Sequence, residues 1–409
     1  MNRRDALSML PLGLPLGAMF ASAKPALAQS APSSLVINVK DHGAIGDGIN
    51  DDTESIYCAL RALRSLPAGG GAIVFPAGIY RITRSIEPTT ADTLGNITIA
   101  GTGRFSSRIK VDGNFPAFVV ALGGCEIRDL YFVQVTPGNN TAAIEIRNTT
   151  GIRLDNLGLE ICNGIICRGK GGGHFISNIY SQETVSGTLI LLEGALSEPL
   201  VDVYIDTVIG RAIGDVATGI GIKDVAHGLY ISKVVLAGFA YGMRTIGNGP
   251  GNMFCSQVIM DSCLDNAFQI ESGTTMRFSQ CWGSSSNRGF NILGGYNIWL
   301  DGCTAINNKF QGVYVQTSGG VHIRNSQIAR NSQDQVGAYH GIHVPPSISG
   351  VTVEGCRLGS AEPGLEKQGY GAFFDGGSSS YIVTGNDTRD NIVDGIFNGG
   401  SNSVVANNL

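Results

Sequence analysis

Two short phrases recur in alternation between residues 287 and 356, and this repeat limits what the chain can fold into. The first phrase occupies 287–292, 310–315 and 339–344, and the second occupies 298–303, 322–326 and 351–356. Each copy alternates apolar with polar residues between Gly, Asn or Ser, which is typical of a short strand with one buried face. Two strand phrases that repeat in a fixed order predict a solenoid.

A single register extends this repeat in both directions along the chain. The last inward position of the second phrase is predicted at Leu130, Leu157, Ile179, Val208, Val234, Cys263, Cys281, Cys303, Ser326, Cys356 and Asn386. The steps average about 26 residues, which is enough for three short strands and three turns. The 58 glycines and the β-branched runs argue against helical repeats. We therefore predict an all-β chain that forms a right-handed parallel β-helix of about 11 to 12 coils, with the four cysteines as a ladder of buried thiols.

The first 29 residues are predicted to be a signal peptide. Arg3 and Arg4 precede the apolar run 6–21, and Ala26-Leu-Ala28 offers a small-x-small cleavage site. The arginine pair indicates the twin-arginine export machinery, with an ordinary Sec signal as the alternative. Cleavage near Ala28/Gln29 predicts a periplasmic or secreted protein with no membrane segment in its mature form.

Residues 30–409 are predicted to form one β-helix domain, with an N-terminal cap at 35–82 and coils at 95–409. The net charge of −5 and the absence of a basic cluster exclude an evident nucleic-acid binder. Nine cysteines without a C-x-x-C pair exclude a zinc ribbon and a thioredoxin-like motif.

The cap is predicted from a different pattern. Val36–Lys40 reads as a strand, and Asp51-Asp52-Thr53 can begin a helix over 54–66 with Ile56, Leu60 and Leu63 on one face. A helix laid across the open end of a β-helix covers its apolar core and its unpaired backbone. We interpret Asp41, Asp47, Asp51 and Asp52 as turn and helix-capping residues.

The stretches 39–56 (VKDHGAIGDGINDDTESI) and 70–80 (GGAIVFPAGIY) resemble the opening of the pectate-lyase-3, rhamnogalacturonase/epimerase-like β-helix superfamily. This resemblance covers the fold of nearly the whole mature chain. Members of the superfamily include glycan lyases, glycoside hydrolases, epimerases, fructotransferases and phage tailspikes, so the resemblance implies a polysaccharide partner without fixing the reaction.

Candidate site residues come from the outward positions of the first phrase, because alternate side chains of a strand point away from the core. Stacked coils would bring these positions together on one long face. The predicted catalytic residues are Arg244, Asp265, Arg288, Tyr314, His340 and His343. The predicted substrate-binding residues are Tyr241, Asn266, Gln269, Trp282, Asn291 and Gln311.

These residue types favour a lyase that cleaves a uronate-containing polysaccharide by β-elimination, which needs a base for the C5 proton and a cation for the carboxylate. The polygalacturonase motifs and the Asp-Pro-His motif of mannuronan epimerases are absent from the sequence. A hydrolase or fructotransferase remains open through carboxylates at Asp202, Asp206, Asp215, Asp224 or Asp265. A non-catalytic polysaccharide-binding β-helix is the third alternative. No cofactor is predicted, while Ca²⁺ and a homotrimer are left open.

Overall fold

The computed structural model describes residues 36–64, 70–88, 96–135, 138–184, 187–195, 199–212, 217–225, 227–360, 362 and 364–409. The predicted signal peptide and Asp215 lie outside these residues. Residues 36–409 form one compact unit. No helix within the described part of the chain is both long and apolar enough to cross a bilayer.

The described strands pair in parallel into two sheets. Sheet 1 contains Val36–Asn38, Asp47–Asp51, Gly71–Phe75, Gly78–Ile82, Ile97–Gly101, Ser107–Val111, Glu126–Arg128, Tyr131–Gln134, Arg153–Glu160, Gly171–Thr184, Leu200–Ala212, His227–Ala237, Gly251–Asp261, Thr274–Ser279, Trp282–Ser284, Tyr296–Asp301, Thr304–Ile306, Val321–Arg324, Gln327–Ala329, Val351–Glu354, Ile382–Thr384 and Val404–Ala406. Sheet 2 contains Phe118–Val120, Ala142–Arg147, Asn163–Arg168, Thr188–Glu193, Thr218–Lys223, Tyr241–Ile246, Asn266–Ile270, Arg288–Ile292, Val313–Val315, Ile342–Val344, Tyr370–Phe374 and Asp394–Asn398. The predicted parallel β-helix is confirmed. It has about 13 turns, because strands upstream of Leu130 add coils that the repeat did not count.

The predicted core column is confirmed except at Cys263. Val234 pairs with Val258 rather than with Cys263. One residue further along, Ile259 pairs with Trp282 and Trp282 pairs with Thr304, so the core position passes from Val258 to Cys281 and Cys303. Cys281, Cys303 and Cys356 are buried thiols in this column. Cys263 is also buried, but it follows a second bend of the coil, where Ser262 has φ 52°. The predicted position of Cys263 is wrong because the Asp-Ser-Cys phrase at 261–263 resembles the Asp-Gly-Cys phrase at 301–303 but lies at a different bend of the coil.

The N-terminal cap has the expected helix, Thr53–Arg64, as the one α-helix among the described residues. Its residues Ile56, Leu60 and Leu63 are buried, as the sequence predicted. The predicted strand over 36–40 is wrong at its end, because the chain turns into a 3₁₀ helix at Val39–His42 after Val36–Asn38.

The cap carboxylates have the structural roles that the sequence predicted for the turn and helix-capping positions. Asp47 accepts backbone hydrogen bonds from Ile49 and Asn50 at 2.8 and 2.9 Å. The buried Asp52 accepts one from the backbone N–H of Ile45 at 2.6 Å. These bonds hold the loop that precedes the helix.

His174, a buried histidine of the β-helix, is expected to make the fold sensitive to acid. His174 is 1% exposed, and its Nδ1 accepts a hydrogen bond from the backbone N–H of Ile152 at 3.3 Å. Burial lowers the pKa of His174 to about 4, from the ordinary value of 6.5. Between pH 6.5 and about 4, His174 is therefore protonated in the unfolded chain and neutral in the folded chain. The free energy of unfolding decreases as pH falls through this range.

We expect His174→Gln to remove roughly 2–3 kcal/mol of the stability difference between about pH 7 and about pH 4.5. Urea unfolding of the two proteins at both pH values measures this difference. His227→Gln, at an exposed position, is the matched control and should keep the wild-type difference. An unchanged pH dependence in His174→Gln would mean that another group causes the acid sensitivity.

Candidate active site

The outward residues of sheet 2 form two neighbouring ladders that run across successive coils. In the first, paired positions bring together Arg244, Gln269, Asn291, Tyr314 and His343. The second ladder lies three residues earlier in each coil and contains Tyr241, Asn266, Arg288, Gln311 and His340, where Asn266 pairs with Arg288 and the last two residues lie just before their strands. Ten of the twelve predicted site residues therefore lie on one face, which we call the ladder face.

The amides of the ladder face are buried although they point away from the core. Asn266, Gln269, Asn291 and Gln311 are only 3 to 6% exposed. A solvated outer face with asparagines for turn geometry would leave these side chains in water. Buried amides need partners, so this face is an organised polar site.

Gln269 is the centre of one hydrogen-bond network. Its Oε1 accepts from Asn266 Nδ2 at 2.9 Å and from Asn291 Nδ2 at 2.7 Å, and its Nε2 donates to Glu271 at 3.1 Å. The Oδ1 atoms of Asn266 and Asn291 are buried and have no hydrogen-bond partner among the described residues. Buried acceptors of this kind require an explanation, and a bound hydroxyl-rich ligand would supply donors to them.

A second network connects Arg288 to Asp375 across four strands. Arg288 Nε donates to Gln311 Oε1 at 2.8 Å. Gln311 Nε2 lies 3.4 Å from His343 Nδ1, and His343 Nε2 lies 2.9 Å from Asp375 Oδ2. The donors and acceptors agree along the whole path when His343 carries its proton on Nε2, which leaves the Nδ1 lone pair directed at Gln311.

Arg288 differs from the other arginine of the ladder face. Arg244 Nε forms an ion pair with Glu271 at 2.9 Å. Arg288 makes no ion pair with a carboxylate of any described residue, and its guanidinium instead lies 5.0 Å from the Tyr314 ring centroid and 5.5 Å from that of Phe310. Burial lowers the pKa of Arg288. The Asp265 charge also acts on Arg288 but forms no ion pair with it. A half-buried cation without an ion pair is costly in the free protein and is suited to binding an anion from outside.

Aromatic rings continue the ladder face toward the C-terminus. His340 stacks on Phe373 with ring centroids 4.2 Å apart, and Phe373 stacks on Phe397 at 4.4 Å. Burial, together with the neighbouring His343, lowers the pKa of His340 to about 4. His340 is therefore neutral at pH 7 and forms part of a ring wall together with Tyr370, whose centroid is 5.5 Å away.

Asp265 lies at the edge of the second ladder, in the turn before Asn266–Ile270. It accepts a hydrogen bond from Asn287 Nδ2 at 3.3 Å. A hydrogen bond to Asp265 raises the pKa of Tyr241, and burial raises it further. Asp265 thus adjoins the ladder face with its carboxylate already engaged.

Trp282 does not join the ladder face. It lies on sheet 1, 41% exposed, and its Nε1 donates to Ser284 Oγ at 2.7 Å.

The other described aspartates that were considered for hydrolysis do not lie beside Asp265 on the ladder face. Asp202 and Asp206 lie on sheet 1, and Asp224 is a left-handed turn residue that accepts two hydrogen bonds from Asn248.

Two acidic residues of the site were missed by the sequence reasoning. Glu271 and Asp375 each follow directly after a sheet 2 strand, Asn266–Ile270 and Tyr370–Phe374. An acid immediately after an outward-facing strand was the available signal. The described residues contain no group of three or more His, Cys, Asp or Glu side chains arranged to hold a metal ion.

Sequence comparisons agree with this architecture. A family described as rhamnogalacturonase A/epimerase, pectate lyase-like matches residues 36–190, and the right handed beta helix region matches residues 246–409. Mannuronan C5-epimerase AlgE1 of Azotobacter vinelandii is 44% identical over 79 residues, which is 19% of this chain and 6% of the relative. Alginate lyase 7 of the same organism is 42% identical over 79 residues, 19% and 9% of the two chains. The chain therefore matches less than a tenth of the length of either relative.

Solved structures extend the likeness over most of the chain. The A-module of mannuronan C-5 epimerase AlgE6 from A. vinelandii superimposes with a TM-score of 0.59 at 18% identity, covering 91% of this chain and 98% of that one. Tailspike protein 3 of bacteriophage CBA120 has a TM-score of 0.60 at 15% identity, covering 91% and 60%. At these identities the likeness is one of fold alone. Together with the two family matches, it shows that this chain is a right-handed parallel β-helix that is similar to the pectate-lyase-like, rhamnogalacturonase/epimerase family over residues 36–190.

Proposed function

We propose that this protein is a lyase that cleaves a uronate-containing polysaccharide by β-elimination on the ladder face. The observation that carries the proposal is Arg288, a half-buried cation without an ion pair to any described carboxylate, connected through Gln311 to the His343–Asp375 pair. An extended face with one cation available for a carboxylate and one oriented base suits an acidic glycan chain.

Arg288 would bind the carboxylate of the uronate residue. Neutralising this carboxylate makes the C5 proton easier to remove, because the negative charge that develops on the carboxylate oxygens during proton removal is stabilised. The stabilisation is strong at a half-buried site, where water screens the charges poorly.

His343 would act as the base through Nδ1, after the bound substrate displaces the 3.4 Å contact from Gln311 Nε2 to that lone pair. It takes the C5 proton, the C5–H electron pair forms the C4=C5 double bond, and the C4–O bond breaks with its electrons leaving on oxygen. Tyr314, whose ring centroid lies 5.4 Å from that of His343, would donate its hydroxyl proton to the departing oxygen. Asp375, hydrogen-bonded to Nε2, orients the ring and stabilises the imidazolium that forms.

The carboxylates of the ladder face give less support to hydrolysis. A glycoside hydrolase usually places two carboxyl groups on either side of the bond that it cleaves. Here Asp265 is engaged with Tyr241 and Asn287, Glu271 with Arg244, and Asp375 with His343. His340 and the rings beside it would line the binding face and contribute no proton transfer.

Epimerisation at C5 is the second candidate, favoured by the names of the relatives. Mannuronan C5-epimerase AlgE1 and alginate lyase 7 are similar to this chain to about the same degree. Both reactions can begin with loss of the C5 proton. They differ in whether C4–O then breaks or a proton returns to the opposite face of C5. Export to the periplasm or beyond remains a prediction.

The test is incubation of the mature protein with a panel of uronate polymers, with and without Ca²⁺, beside neutral polymers as controls. A lyase raises the ultraviolet absorbance of unsaturated ends. An epimerase raises no absorbance but incorporates deuterium at C5 in heavy water, which NMR detects. New reducing ends without absorbance would contradict the lyase in favour of a hydrolase, and binding without any of these signals would support the non-catalytic alternative.

A further inference from the structure

A cavity of about 360 Å³ lies on sheet 1, apart from the ladder face. Its lining includes Arg104, Asp129, Asp155, Tyr180 and Ile209. This volume is in the range of small-molecule binding sites, which combine apolar walls with a few convergent polar groups. None of these residues takes part in the proposed β-elimination.

Left-handed bends of consecutive coils build one side of the cavity. Asn156 and Asn178 adopt φ of 52° and 55° at equivalent positions. Their Nδ2 groups donate to Asp129 at 2.6 Å and to Asp155 at 2.7 Å. The side-chain amides therefore hold both carboxylates in fixed positions.

Arg104 covers the other side. Its guanidinium lies 5.2 Å from the ring centroid of Tyr180 and 5.1 Å from that of Phe105, and Nη1 donates to the carbonyl of Asn178 at 3.3 Å. Its Nε is buried and has no hydrogen-bond partner in the part of the chain that the structure describes. A buried donor without a partner, in a cavity large enough for a ligand, indicates a group that a ligand can satisfy.

The charges of this cavity are balanced. Asp129 pairs with Arg128. Among the described residues, neither Arg104 nor Asp155 has an ion-pair partner, so one guanidinium and one carboxylate remain available. A ligand with both donors and acceptors but no net charge fits this pair, whereas an anionic ligand would meet Asp155.

We propose that this cavity binds a neutral pyranose sugar. The sugar hydroxyls would donate to Asp155 and accept from Arg104, and one apolar face of the ring would pack beside Tyr180 and the half-exposed Ile209. The proposal does not depend on the lyase activity, because the two sites prefer different sugars. The ladder face prefers carboxylate-bearing sugars through Arg288, whereas this cavity prefers sugars without a carboxylate.

Saturation-transfer NMR and calorimetry with neutral trisaccharides (cello-, malto-, manno- and galacto-configured) and with a triuronate of alginate test the proposal. At least one neutral trisaccharide should bind to His343→Gln as it does to the wild type, and Arg104→Ala should weaken that binding at least tenfold. Arg153→Ala, whose guanidinium lies over Phe175 outside the cavity, is the matched control with unchanged affinity. The isosteric Asp155→Asn should weaken neutral binding and strengthen triuronate binding at this site.

Three results would overturn the proposal. The first is that no neutral trisaccharide binds. The second is binding that persists at wild-type affinity in both Arg104→Ala and Asp155→Asn. The third is a triuronate that binds the His343→Gln/Arg288→Met double variant more tightly than any neutral sugar and loses this binding in Arg104→Ala. These binding measurements do not depend on the lyase assay, so a negative lyase assay would not change their interpretation.

Discussion

Replacing His343 by Gln is expected to lower kcat/KM on a uronate polymer by about 10²–10⁴-fold, the contribution of a positioned general base. The loss follows from the orientation of the ring, whose Nε2 is held by Asp375 at 2.9 Å while Nδ1 faces Gln311 at 3.4 Å. Glutamine has no basic nitrogen to take the C5 proton. The rate of formation of unsaturated ends measures the effect.

The matched control for this prediction is His322→Gln. His322 stacks on Trp299 with ring centroids 4.1 Å apart on sheet 1, outside the ladder face. It should retain the wild-type rate. Equal rates in His343→Gln and the wild type, with both proteins folded by circular dichroism, would remove His343 from the mechanism.

Replacing Arg288 by Met is expected to make the protein less active at little cost in stability. Loss of a charged hydrogen bond to the substrate carboxylate should lower kcat/KM by roughly 10- to 100-fold. The free energy of unfolding should change by less than about 1 kcal/mol, because removal of a half-buried cation is offset by loss of the hydrogen bond from Arg288 Nε to the buried Gln311 Oε1. Steady-state kinetics and urea unfolding measure the two changes.

Arg244→Met is the matched comparison for stability. Arg244 is paired with Glu271 at 2.9 Å, so its removal leaves a carboxylate unpaired and should lower the stability of the fold. If Arg288→Met destabilised the protein as Arg244→Met does, Arg288 would be a structural residue and the proposed carboxylate site would lose its support.

The repeat was readable in the sequence because every coil must bury the same side chains. Leu157, Ile179 and Val208 stand at one position of three coils, and only apolar residues fill a closed interior there without cost. The outward rows followed from the alternation of a strand, so the neighbourhood of Tyr314 and His343 was predicted before any coordinates. Cys263 shows the limit, since a three-residue phrase such as Asp-Ser-Cys at 261–263 can occur at either of two bends in a coil.

What surrounds those rows was decided by tertiary structure. Gln311 is 6% exposed although it points outward, and Asp375 reaches His343 from 32 residues further along the chain. Such contacts depend on the lengths and paths of the turns between strands, which no periodic pattern specifies. The sequence by itself determined which residues share a column, because burial imposes a period. The fold alone decided which of them are desolvated, paired or left with a free charge, because those properties depend on side chains brought together from separate coils.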